Sequence, residues 1–421
     1  MDSGKKEMET GSRRRVVITG IGAVTPLGNT AAESWEAAAA GKCGIAPITR
    51  FDAAGRKVKL AAEVKNFAPE TVLEKSELRR MDDFTVFGAA AAKEAFLDAG
   101  LDMSAEDADR AGVIFSSGIG GLGTIERENR RGQEKGFDRV APHFIPMAIT
   151  NMAAADIAIR HGFHGVCECV VTACAAGTSA LGNAFRQVRD GYQDVMLCGA
   201  SEAGITPLGM GGFTSMKALS FSEDPSRASI PFDKERSGFV MGEGAGALVL
   251  EEYGHAMQRG AKIYCEVAGY GASCDAYHIT APAADGRYAA KCMVNAMRDA
   301  GIAPEEVDYI NAHGTSTPMN DRCETAAVKL AFGEAASRLM ISSTKSMTGH
   351  LLGASGAVEA VFTALMVKNG LALPTINYRE PDPECDLDVV PNEARKAEIR
   401  YAMSNSLGFG GHNASVIFRK L

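Results

Sequence analysis

With 421 residues and 46% hydrophobic content, the chain is long enough to bury a large core and to form two or three units of ordinary domain size. A formal charge of −8, from 44 basic and 52 acidic residues, leaves no overall footprint for nucleic acid or a membrane surface, so an acidic partner would need a local basic patch. Gly, Asp, Lys or Arg breaks every apolar run short of membrane length, and ten cysteines with no secretory leader are expected to be reduced thiols of a soluble, cytoplasmic protein.

Met1–Arg15 is polar, closes on Arg13-Arg14-Arg15, and is expected to be an unstructured lead over 1–15. From Val16 onward, short apolar runs alternate with helical patterns: Val16-Val17-Ile18-Thr19, a helix over about Ala31 to Ala40, another over about Asp83 to Ala99, then Gly112-Val113-Ile114-Phe115. This alternation predicts an α/β protein built of βαβ units, with a mixed sheet covered by helices on both faces. Next comes Gly118-Ile119-Gly120-Gly121-Leu122-Gly123, which formally matches a dinucleotide fingerprint. The charged segment Glu126 to Arg139 follows it instead of a second strand with an acidic end, so a nucleotide site is not expected. Cys167-Glu168-Cys169 lacks the two-residue spacer of a zinc or redox pair, and no metal is expected there.

The apolar run Cys169-Val170-Val171-Thr172 leads into Thr172-Ala173-Cys174-Ala175-Ala176-Gly177 and a helical pattern ending near Gly191. A thiol at such a strand-to-helix turn faces the positive end of the helix dipole, which favours thiolate. A buried structural cysteine would look the same in isolation.

Further on, Asn295-Ala296-Met297-Arg298-Asp299-Ala300-Gly301-Ile302 repeats Glu94-Ala95-Phe96-Leu97-Asp98-Ala99-Gly100-Leu101 at an offset of 201 residues. Ala268-Gly269-Tyr270-Gly271-Ala272 likewise repeats Thr19-Gly20-Ile21-Gly22-Ala23. Matches in the same order predict two similar halves, 16–260 and 261–421, with a site where their strand ends meet.

Two histidines stand beside glycine in small-residue loops, in Asn311-Ala312-His313-Gly314-Thr315-Ser316-Thr317 and in Lys345-Ser346-Met347-Thr348-Gly349-His350. Neutral imidazoles there can donate Nε2–H to a developing enolate oxygen. Lys345 would set the local electrostatics, or form a surface salt bridge with Asp321 or Glu324. Ser404 to Asn413 has too many glycines for a strand interior and reads as a loop whose backbone N–H could complete an oxyanion hole.

Taken together, Thr172-Ala173-Cys174, Asn311 to Pro318, Ser343 to His350 and Gly408-Phe409-Gly410-Gly411 resemble the β-ketoacyl-acyl-carrier-protein synthases over about Val16 to Leu421. Pro231 to Arg236 and Asp275 to His278 are most similar to the synthase II group of type II fatty-acid synthesis. The resemblance implies a thiolase fold, five-layered αβαβα with two duplicated halves, in a homodimer. It implies that Cys174 takes an acyl group from acyl carrier protein. A malonyl carrier protein then loses carbon dioxide, with His313 and His350 on the enolate, and the carbanion attacks the acyl thioester to give a 3-oxoacyl product. Backbone N–H groups of Cys174 and Phe409 would form the oxyanion hole, at about 3 kcal/mol each.

By the same resemblance Lys345 is the active-site lysine, with Asp321, Glu324 and Glu359 as supporting charges. Ile119, Phe213, His278, Thr280, Thr315, Thr317 and Phe409 would meet the substrate, Ile119 at the acyl pocket and the two threonines on the pantetheine arm. No cofactor is implied, since the 4'-phosphopantetheine arrives on the carrier. Lys75, Arg79 and Arg80 are the candidate docking patch for the acidic carrier. A coenzyme A-dependent thiolase, a polyketide ketosynthase, a polyketide chain-length subunit and a Cys174–His313 hydrolase are the alternatives. The chain-length subunit would lack Cys174, and the hydrolase would have no use for Lys345 or a second histidine.

Overall fold

Val16–Val24 (β1) is buried along its whole length, and the fold grows outward from it on both sides. The computed structural model describes residues 13–421, so the expected lead lies outside the described residues as far as position 12. Arg13–Arg15 are held by the fold: the Arg14 N–H donates to the Arg189 carbonyl (3.1 Å), and Arg14 and Arg15 pair with Asp194 and Glu266 at 2.6 Å each.

The remaining strands of the central sheet are β2 (Ala111–Ser116), β3 (Cys167–Glu168), β4 (Val195–Glu202), β5 (Gly244–Glu252), β6 (Glu266–Cys274), β7 (Tyr309–Asn311), β8 (Met340–Ser342), β9 (Tyr401–Gly408) and β10 (His412–Arg419). They form one ten-stranded sheet in the order β8-β7-β9-β10-β6-β1-β5-β4-β2-β3. Read outward from the short antiparallel contact between β1 and β6, both sides carry the same pattern of two antiparallel and then two parallel pairings.

The helices complete five layers. Asp83–Ala99 (α1) and Met152–His161 (α2) cover the outer face of the first half, and Arg287–Ala300 (α4) and Pro318–Phe332 (α5) cover that of the second. Ala176–Arg189 (α3) and Ser355–Asn369 (α6) lie between and touch strands of both halves. α6 is almost wholly buried, as a helix apolar all round must be.

The sequence repeat has a physical cause. β1 skips Thr19 in pairing with β5, and β6 skips Ala268 in pairing with β10. At each bulge a helix carboxylate accepts the freed backbone N–H: Ile21 donates to Asp98 and Tyr270 to Asp299, both at 3.1 Å. Beside each bulge the strand presses on its helix. A Cβ on Gly20 would lie 2.1 Å from the Ala95 carbonyl oxygen, and one on Gly269 would lie 2.5 Å from that of Ala296.

Candidate active site

Cys174 sits in the 3₁₀ turn Ala173–Ala175 that runs into α3. The strand expected before it is confined to Cys167–Glu168, and Cys169–Thr172 has no ladder partner. Ala173 has φ +50, a left-handed conformation that costs a non-glycine residue roughly 1–2 kcal/mol and recurs at functional sites. The thiol is buried, and the backbone N–H groups of Phe409 and of Cys174 itself favour its ionised form. Burial pushes the thiol up to about 11, against the pull of the Phe409 N–H and the Lys345 ammonium. The resting group is therefore a thiol, not the thiolate expected from the helix end alone.

His313 follows β7 in a buried loop pinned by Glu324, whose two carboxylate oxygens accept the N–H groups of His313 and Gly314 at 2.8 Å each. His350 is pinned by its own backbone, donating to the Val240 carbonyl (2.7 Å) and accepting from the Gly242 N–H (2.9 Å). Its Nδ1 meets the Ser355 hydroxyl at 2.9 Å. When that hydroxyl donates, the ring proton is on Nε2. The two rings stand edge to face with centroids 5.2 Å apart. Burial, and after it the Lys345 ammonium, holds both well below the usual imidazole range, so both are neutral.

Lys345 is 1% exposed, and its Nζ lies 2.5 Å from Glu359 Oε1. The alternative of a surface salt bridge to Asp321 or Glu324 does not hold. Of the three expected supporting charges only Glu359 touches the ammonium. Asp321 accepts the Phe232 N–H (2.9 Å) and faces Arg236, and Glu324 serves the His313 loop.

Cys174, His313, His350 and Phe409 line one cavity of about 620 Å³ together with Phe213, Thr280, Thr315 and Thr317. The Thr315 and Thr317 hydroxyls are 2.9 Å apart. Phe213 packs edge-on against Phe239 and tilted against Phe409. His278 stands outside this wall, exposed, with its Nδ1 accepting the Thr280 and Ala281 N–H groups. Ile119 also lies outside the wall, in the apolar cluster of Phe213, Met241 and Leu352 behind it. Lys75, Arg79 and Arg80 are exposed on and just after the short helix Lys75–Leu78, away from the cavity lining. The segment expected as a loop from Ser404 to Asn413 is strand up to Gly408 and strand again from His412. The turn is only Phe409–Gly411, where Gly410 takes φ +80. A hairpin in the sheet interior carries those glycines because the turn needs them and the strand merely tolerates them.

The chain thus has a buried thiol and two neutral imidazoles lining one cavity, with Phe409 beside them. Residues 13–256 match the family described as Beta-ketoacyl synthase, N-terminal domain, and residues 264–379 match Beta-ketoacyl synthase, C-terminal domain. The chain belongs to the β-ketoacyl synthases. It is 51% identical over 409 residues to a 3-oxoacyl-[acyl-carrier-protein] synthase 2 of Synechocystis sp., covering 97% of this chain and 98% of that one. It is 52% identical over 407 residues, with the same coverage, to a protein of that name from Staphylococcus aureus (strain COL). Among solved structures it resembles a type II PKS ketosynthase in complex with its acyl-carrier protein, with a TM-score of 0.90, 38% identity and coverage of 97% of this chain and 100% of that one. A β-ketoacyl synthase from Burkholderia phymatum follows, at TM-score 0.89, 36% identity and the same coverage. The fold of this β-ketoacyl synthase is accordingly the thiolase fold.

Sequence reasoning missed three residues of this synthase. Asp275 and Asn413 line the cavity, joined by a 2.7 Å hydrogen bond from the Asn413 amide to the carboxylate. Asp275 stood inside a motif quoted for the resemblance and Asn413 at the end of the glycine-rich segment, but no spacing rule pairs residues 138 positions apart. Glu202, at the end of β4, is fully buried and accepts the Gly118 and Ile119 N–H groups. These donors of the glycine run thus serve a carboxylate of the chain itself.

Proposed function

We propose that this β-ketoacyl synthase is a 3-oxoacyl-[acyl-carrier-protein] synthase that lengthens fatty acyl chains by two carbons. In the first stage the Cys174 sulfur attacks an acyl-carrier thioester. The carbonyl oxygen becomes an oxyanion between the Cys174 and Phe409 N–H groups, the carrier sulfur leaves, and the thiol proton goes with it. In the second stage a malonyl thioester breaks its bond to the carboxylate. Carbon dioxide departs, and the electron pair moves to the enolate oxygen, which accepts from His313 and His350. Neutral rings suit this step, because they donate without adding a cation that would hold the malonyl carboxylate in place. The carbanion then attacks the acyl carbon, the oxyanion forms in the same backbone pocket, and the Cys174 sulfur leaves and is reprotonated.

The observation that carries this reading is the convergence of Cys174 from one half and both imidazoles from the other on a single cavity. Thr315, Thr317, Thr280 and Phe213 would line the path of the pantetheine arm and acyl chain, with Ile119 and His278 behind them, and no resident cofactor is needed. The division into halves 16–260 and 261–421 belongs to the same reading. Exposed Lys75, Arg79 and Arg80 would meet acidic carrier protein. The open edge strand β3 and exposed Phe137, Ile145 and Ile149 support a homodimer. Ten free cysteines support a reducing, cytoplasmic setting, and among the described residues no helix is long and apolar enough to cross a membrane. A ketosynthase of polyketide assembly is the second reading, favoured by the likeness to a type II PKS ketosynthase, though at lower identity than the fatty-acid relatives.

The test is to supply acyl-carrier and malonyl-carrier thioesters of graded chain length and to analyse the products. One condensation per cycle, giving a 3-oxoacyl carrier two carbons longer, supports the proposal. Iterated extension without reduction would favour the polyketide reading, and activity confined to coenzyme A thioesters would overturn the carrier-protein reading.

A further inference from the structure

Glu202 is met by four donors: Ser117 Oγ (2.9 Å) and the Ile119 N–H (3.2 Å) on Oε1, and the N–H groups of Gly118 (2.8 Å) and Gly353 (3.0 Å) on Oε2. Three belong to the first half of the chain. The fourth belongs to the turn Leu352–Ala354 of the second half, which separates His350 from Ser355, the partner of its Nδ1. The packing there is close. A Cβ on Gly353 would lie 2.3 Å from the Gly118 nitrogen, and a Cβ on Gly118 would lie 2.8 Å from Glu202 Oε2 and 3.4 Å from the Ala173 carbonyl. Leu352 is held at φ +49, a conformation that survives only where its surroundings dictate it. The Ser117–Ile119 segment, whose Gly118 packs beside the Ala173 carbonyl, and the turn after His350 therefore meet on one carboxylate.

We propose that Glu202 is a positioning residue for the condensing reaction, its carboxylate tying the Ile119 segment to the Leu352–Ala354 turn and so fixing the His350–Ser355 pair against Cys174 across the two halves. This rests on the role given to His350 above. A carboxylate fits because it only accepts, on two oxygens with room for four donors. A glutamine of the same size would turn an NH₂ group toward one pair of donors. The carboxylate also acts on the sulfur through space. Its negative charge pushes the Cys174 thiol up, opposing Lys345, and it raises Cys169 as well.

The test compares wild type, Glu202→Gln and Glu202→Asp as full-length proteins in two assays: decarboxylation of malonyl carrier protein, and the pH profile of Cys174 alkylation by iodoacetamide. Glu202→Gln is expected to lose about 10- to 100-fold in decarboxylation kcat, the scale of a small misplacement at a reacting centre, with KM within about 2-fold. Its alkylation midpoint is expected to move to lower pH, because the anion beside the sulfur is gone. Glu202→Asp keeps the charge but draws it back from the Gly353 N–H, so decarboxylation falls while the alkylation midpoint stays with wild type. That variant decides the matter should Glu202→Gln not fold. Decarboxylation at the wild-type rate in either variant overturns the proposal, as does loss of alkylation and decarboxylation in step with the melting temperature. A wild-type protein unable to decarboxylate overturns the condensing reading itself, on which the alkylation profile does not depend.

Discussion

His313 and His350 meet edge to face, ring centroids 5.2 Å apart at an interplanar angle of 86°, and both stay neutral because they are buried beside the Lys345 ammonium. In the unfolded chain each would bind a proton near pH 6.5. Their contribution to stability is therefore complete above about pH 6.5 and is lost as the pH falls below it, by up to about 1.4 kcal/mol per pH unit per ring. Glu202 and Glu324, which burial pushes up to about 7, slope the other way below that pH. They are present in wild type and variant alike and cancel in a difference. Denaturant unfolding of wild type and His350→Asn should therefore show the difference in stability shifting against wild type by about 1.4 kcal/mol for each pH unit between 6 and 5. A difference independent of pH would mean that His350 is not held neutral.

The buried Lys345–Glu359 pair makes a separate prediction. Removing one partner leaves an uncompensated charge, so Lys345→Met or Glu359→Leu should each lower stability by about 3–5 kcal/mol. The double variant should lose less than the sum of the two, a coupling measured by a double-mutant cycle. Lys345→Met should also move the Cys174 alkylation midpoint to higher pH, since the ammonium lowers the thiol.

Gly20→Ala and Gly269→Ala test the duplication. Each places a methyl against a helix carbonyl at the same point of a bulge, at 2.1 and 2.5 Å. Both should lower the melting temperature, with losses of about 1–3 kcal/mol or more. A marked effect at one position and none at the other would mean that the two bulges are not equivalent.

These glycines also illustrate what could be read in advance. The helix over Asp83–Ala99 and the strand around Val113 were legible because their patterns are local and capped, by Asp82 at the N-terminus and by Gly100 in a left-handed conformation at the end. The duplicated halves were legible because the strand-to-helix contact demands small residues twice. The Lys345–Glu359 pair and the Asn413–Asp275 bond were only implied or unseen, since side chains that meet between separate helices or strands leave no spacing signal. The thiol's protonation was misjudged because the helix end is visible in sequence and burial is not. The Ser404–Gly408 strand was misread because its glycine-rich end belongs to a hairpin turn whose strands lie in the sheet interior.

Charge reversal at the candidate docking patch, Arg79→Glu with Arg80→Glu, should raise the KM for carrier protein several-fold at low salt and much less at high salt, where exposed charges are screened. The kcat should change little. Steady-state kinetics across ionic strength measures this, and an unchanged KM at low salt would move the docking surface elsewhere.

The most direct measurement is mass spectrometry of the intact protein after exposure to an acyl-carrier thioester, with peptide mapping of the adduct. The expected result is one acyl group on Cys174, discharged when malonyl carrier protein is added, and no adduct in Cys174→Ala. Stable acylation of Cys167 or Cys169 instead, or full condensing turnover by Cys174→Ala, would contradict the assignment of the nucleophile and with it the mechanism.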